Sequence, residues 1–142
     1  MNLRYLLAIG IVLVLFVGCA GIGASSDPFP KPVLSEKKEV TLDFLNADWC
    51  PHCQKMKPYV LDLMNTLPSD RFLVKSWNEK NIQTDPDTAT VYNQYTDNGF
   101  FTGYPTFVIN GNDSRVGEMT QSDLKAWVCS KFAKPVPQAC AS

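Results

Sequence analysis

The chain has 142 residues, 45% of them hydrophobic and 19% charged, which leaves room for one globular domain once any targeting segment is set aside. Its formal net charge is −1, with no cluster of Lys and Arg and no stripe of basic and aromatic residues, so nucleic acid is not an expected partner.

Met1-Asn2-Leu3-Arg4 supplies a short positive start, and Leu6 to Val17 is almost uninterrupted Leu, Ile, Val and Phe, the pattern of an export signal. A buried core helix is the competing reading, but the run is apolar on all faces, terminal, and followed by a polar, Pro-rich stretch. Three endings are open for this segment, residues 1–24. Phe16-Val17-Gly18-Cys19 resembles a lipobox, which would make Cys19 a lipid-attachment site. Leu6 to Ala24 is close to the roughly 20 residues that span a bilayer, as an uncleaved signal anchor would. Cleavage after Ala24 comes third, because Ile22-Gly23-Ala24 is a poor site. The first two leave the domain on the outer face of the cell membrane. With Cys19 set aside, Cys50 with Cys53 and Cys129 with Cys140 remain as two pairs, and an oxidising compartment favours disulfides.

Residues 25–39 carry prolines at 28, 30 and 32 and no hydrophobic period, and are expected to be a Pro-rich linker holding the domain clear of lipid headgroups. Val40 to Ala47 reads as a mostly buried strand. Pro51 to Leu67 has apolar residues at Met56, Tyr59, Val60, Leu63, Met64 and Leu67, a helical spacing closed by Pro68-Ser69-Asp70. Arg71 to Trp77 is a second strand and Asn78 to Asp85 a polar loop. Asp85-Pro86 fits the N-cap and first turn of a helix carrying Ala89, Val91, Tyr92 and Tyr95 and ending near Asn98-Gly99. Thr106 to Asn110 is a third strand, and Asn110-Gly111 a hairpin turn into a short fourth strand near Ser114 to Gly117. Thr120 opens a last helix, with Leu124, Trp127, Val128 and Phe132 on one face. The order β-α-β-α-β-β-α predicts an α/β domain over 40–134, a central four-stranded mixed sheet flanked by helices on both faces, followed by a tail over 135–142.

Cys50 and Cys53 stand where the first strand hands over to a helix. The helix N-terminus favours thiolate over thiol, and the thiolate is the attacking species. Cys50 is therefore the expected nucleophile. Cys53, nearly one turn on, is placed to resolve a mixed disulfide.

Asp48-Trp49-Cys50-Pro51-His52-Cys53 with Pro58 resembles the active-site helix of the thioredoxin superfamily, and Gly103-Tyr104-Pro105-Thr106-Phe107 resembles its cis-proline loop. The similarity spans about residues 40–132. It implies a thioredoxin-like fold, a cis Pro105 packed against the cysteine pair, and a substrate-binding surface of Trp49, Tyr104 and Pro105, where the Tyr104 backbone meets an extended substrate segment. The redox-active Cys50-Cys53 disulfide then serves with no further cofactor.

Pro51-His52 between the cysteines is similar to the DsbA-type oxidases. A cationic or hydrogen-bonding His52 would stabilise the Cys50 thiolate and favour oxidation. The family's buried acid, six residues before the first cysteine, is replaced by Phe44. The adjacent Asp43 faces the other side of a regular strand, so it assists Cys53 only if a bulge re-aims it. Cys129 and Cys140 flank the end of the last helix and are expected to close a structural disulfide. Trp77 and Trp127 read as packing residues.

The leading expectation is an extracytoplasmic, membrane-tethered thiol-disulfide oxidoreductase that acts on exported protein thiols in the oxidising direction and is recycled by a membrane redox partner. A tethered reductase shares every catalytic residue. A metal-binding protein using Cys50, Cys53 and His52 ranks below both, because no second Cys-x-x-Cys or distant histidine completes a ligand set; no metal site is therefore expected.

Overall fold

The computed structural model describes residues 27–141. The expected targeting segment 1–24 and its Cys19 lie outside them.

Strand β1 (Val40–Asn46) is buried along its whole length because it sits inside the sheet with packed layers on both faces. Its even residues Val40, Leu42 and Phe44 meet one apolar cluster, and Leu45 meets a second on the opposite face. Helix α1 (Pro51–Thr66) follows, then β2 (Phe72–Asn78), α2 (Pro86–Asp97), β3 (Thr106–Ile109), β4 (Asp113–Val116) and α3 (Gln121–Cys129). A 3-10 turn, Glu79–Asn81, occupies part of the expected polar loop, and another, Gln138–Cys140, part of the tail.

The sheet order is β2-β1-β3-β4, with β1 and β2 parallel and the β1–β3 and β3–β4 pairs antiparallel. The hairpin between β3 and β4 turns on Asn110 and Gly111, with φ of 53° and 72°. Two successive positive φ values suit the Asn-Gly pair, and the Asn110 side chain is used as well: its Oδ1 accepts from Thr41 N–H at 2.8 Å.

Helices α1 and α3 cover one face. Met56, Val60 and Leu63 of α1 and Leu124, Trp127 and Val128 of α3 pack on Phe44, Phe72, Val74, Phe107 and Ile109. Helix α2 covers the other, with Val91, Tyr92 and Tyr95 on Leu45, Trp77 and Val108. This is the α/β fold expected, a four-stranded mixed sheet between helices.

The Pro-rich stretch departs from a free linker over its described part. Phe29 is buried and meets Phe44 edge-on at 5.9 Å, while Leu34 packs on the α2 face and its carbonyl accepts from Lys75 Nζ at 2.8 Å. The segment thus passes from one face of the sheet to the other around the edge strand β2, covering an edge that would otherwise be open to pairing. Lys31 adds an ion pair with Asp85 at 3.7 Å.

Candidate active site

Cys50 is the N-cap of α1: its backbone is extended (φ −85°, ψ 113°), Pro51 takes the first helical turn, and its Sγ accepts the Cys53 backbone N–H at 3.2 Å. A helix N-terminus leaves such N–H groups free of helical partners, and a sulfur placed there carries negative charge favourably. Both cysteines are free thiols. Cys50 is 3% exposed and Cys53 fully buried, against Ala47 and the Tyr104 ring. Burial, followed by the neighbouring Cys50 sulfur, pushes the Cys53 thiol up to about 12.

The Tyr104–Pro105 bond is cis and Pro105 is buried. Tyr104 connects the cysteines to an aromatic series: Trp49 stands edge-on to it at 5.6 Å, Phe101 at 5.0 Å, and Phe101 meets Tyr92 at 5.1 Å. Trp49 is 68% exposed, and its Nε1 donates to Glu79. Cys50, Cys53 and Tyr104 therefore meet at one place, with Trp49 at its rim.

His52 points elsewhere. Its Nδ1 lies 2.7 Å from Glu118 Oε2, and Lys55 Nζ reaches the same carboxylate at 3.3 Å. His52, then Lys55, holds the Glu118 carboxyl below its ordinary range. Glu118 belongs to a short clasp between the two halves of the site: Gly117 N–H donates to the Pro105 carbonyl at 2.8 Å, and Met119 N–H to Met56 Sδ at 3.5 Å.

Asp43 does not reach Cys53 through a bulge. Strand β1 keeps regular register with both neighbours, pairing Asp43 with Lys75 and Val108. Its carboxylate lies on the α2 face, accepting from Trp77 Nε1 and Tyr95 OH, each at 2.6 Å. Burial raises its pKa and the two donors oppose that rise. Asp43 is a core polar group, and Phe44 packs on the other face, stacked on Phe107.

A polar network beneath the site has no counterpart among the sequence-based candidates. Asn46 Nδ2 donates to Ser76 Oγ at 2.9 Å, Asn78 Nδ2 donates to Asn46 Oδ1 at 3.2 Å and to Asp48 Oδ1 at 2.8 Å, and Asp48 also pairs with Lys80 at 2.8 Å and Lys57 at 3.4 Å. Lys57 was findable from its spacing: four residues after Cys53 on one helix, it shares that residue's face. Glu118 was not, since its contact with His52 depends on the fold alone.

Cys129 and Cys140 form a disulfide with Cα atoms 5.5 Å apart. They pack against the cluster under α1 and α3.

The thioredoxin family model matches residues 22–131. No curated protein matches the chain. Solved structures that resemble it include a mutant thioredoxin from Halobacterium salinarum NRC-1, at 25% identity over 68% of this chain and 77% of that one, with a TM-score of 0.49. A reduced thioredoxin pre-protein from Schistosoma mansoni matches at 19% identity over 68% of this chain and 83% of that one, with a TM-score of 0.46. Family membership implies thiol-disulfide oxidoreductase activity in general terms, and the model spans most of the sequence: the chain belongs to the thioredoxin family.

Proposed function

We propose that the chain is an extracytoplasmic dithiol oxidase that exchanges its Cys50–Cys53 disulfide with the thiols of exported proteins. The observation that carries this reading is Cys50 Sγ at the N-cap of α1, accepting a backbone N–H beside the buried Cys53. In the forward direction a substrate thiolate attacks Cys50 Sγ. The Cys50–Cys53 bond breaks and its electron pair leaves with Cys53. A second substrate thiolate then attacks the substrate sulfur of the mixed disulfide, expelling Cys50 and leaving the substrate oxidised by two electrons. Trp49, Tyr104 and Pro105 form the surface on which the substrate segment lies, and a membrane redox partner reoxidises the pair.

The oxidising direction rests on Pro51-His52, through stabilisation of the Cys50 thiolate by His52. The contact of His52 with Glu118 is the one observation favouring the reductase alternative, because it turns the imidazole toward a carboxylate. Export and tethering rest on residues 1–24, with Cys19 as the lipid-attachment site, and gain support from the Cys129–Cys140 disulfide, which suits an oxidising compartment.

The direction is tested by equilibrating the pair against glutathione. A couple clearly more oxidising than the thioredoxin value of about −270 mV is expected, and a couple near that value sinks the oxidase reading. His52→Pro should shift the equilibrium toward the disulfide. An unchanged equilibrium would remove His52 from the role of tuning residue.

A further inference from the structure

The redox reading leaves one charge unaccounted for. Whenever the Cys50–Cys53 bond breaks, Cys53 Sγ receives an electron pair at a position with no solvent exposure. A buried anion without a counter-charge is costly. The family's acid position is Phe44, and the Asp43 carboxylate is engaged on the opposite face of the sheet by Trp77 and Tyr95. The ionisable groups around Cys53 also include Cys50 and the phenols of Tyr92 and Tyr104; burial pushes both phenols up, and a phenol, neutral or anionic, has no positive charge to offer.

Lys57 does. It follows Cys53 by one turn on the same face of α1, where Cβ atoms lie about 6 Å apart, and its side chain is only 13% exposed. Asp48 holds the ammonium at 3.4 Å, and Asp48 is also shared with Lys80 at 2.8 Å and Asn78 at 2.8 Å. Lys57 is thus a held, largely buried cation one turn along the helix from the buried sulfur.

We propose that Lys57 is the positioning residue that stabilises the Cys53 thiolate, with Asp48 orienting its ammonium. The inference rests on the redox reading and holds for either direction of exchange, since Cys53 is the leaving group in oxidation and the attacking thiolate in resolution. In resolution the Cys53 thiol loses its proton to solvent base, and the Lys57 ammonium stabilises the thiolate that remains. The thiolate attacks Cys50 Sγ, and the substrate sulfur departs with the electron pair of the mixed disulfide.

The test reacts the reduced full chain with oxidised glutathione, quenches with acid at timed intervals, and measures by mass spectrometry the Cys50–glutathione mixed disulfide and its decay, from pH 6 to 9. Lys57→Met should slow the decay about tenfold near neutrality, the factor that one unit in the Cys53 thiol's acidity produces, and move the rate profile to higher pH. Lys57→Arg should restore both. Lys57→Gln, which keeps a polar side chain, serves as a second removal of the charge should the Met variant fold poorly. Unchanged decay and an unchanged profile in a folded charge-removing variant overturn the role of Lys57. Absence of both a glutathione adduct and a Cys50–Cys53 disulfide on the unsubstituted chain instead overturns the redox reading beneath it.

Discussion

Asp48 shares one carboxylate among Lys80, Asn78 and Lys57, and this sharing, with the Lys80 hydrogen bond foremost, holds it down to about 2. An unfolded aspartate titrates near 3.9. The folded chain therefore binds this proton less readily than the unfolded one. The resulting stability is fully present above about pH 4 and is lost as pH falls through about 2. The Asp48 side chain is 47% exposed, so solvent screening keeps the effect modest. Asp48→Asn should give a shallower loss of stability between about pH 4 and pH 2, read by urea unfolding across that range. An acid slope equal to that of the unsubstituted chain would mean that the carboxylate is not held by these three partners. Glu118 sits in a comparable position on the other side of the cysteines, since His52 and Lys55 meet on it. The site therefore has two carboxylates near it, each already committed to cations, and one of those cations is Lys57.

Elements whose signals are local were legible in the sequence. Asp85-Pro86 opens α2 and Thr120 caps α3 by accepting the Asp123 N–H, as their spacing predicts. The Asn110-Gly111 turn fixes the hairpin, the Tyr104–Pro105 bond is cis as the motif pair implies, and it is Tyr104 that packs against Cys50 and Cys53. Long-range contacts were not legible. Phe29 stands between two prolines in a stretch without periodicity, and nothing in that stretch announces its contact with Phe44. Glu118 likewise finds His52 only once β4 has returned beside the cis-proline loop. The strap formed by residues 27–39 makes a testable distinction between a tether and a structural element. Phe29→Ala should cost about 3 kcal/mol in denaturant unfolding, as for a buried aromatic. A loss near zero would return the segment to the role of free linker.

Across the whole molecule, two sulfur pairs occupy unlike surroundings. Cys50 and Cys53 head α1, free and packed beside Tyr104. Cys129 and Cys140 join the end of α3 to the tail, against the core on the α1 and α3 side. The second pair closes a short loop, so its contribution through the unfolded chain is limited to about 3 kcal/mol. Its chemistry also reports on where the chain resides, since cytosolic reductants keep such pairs reduced and an exported domain keeps them oxidised. Replacing both with serine should lower unfolding stability by up to that amount while leaving the rate of glutathione exchange at Cys50 unchanged, because the two pairs belong to separate clusters among the described residues. Acid-trapped thiols from intact cells should show Cys129 and Cys140 oxidised. Finding them reduced there would contradict the export half of the proposed function, and a fall in Cys50 exchange in the serine variant would show that the two pairs act as one redox system.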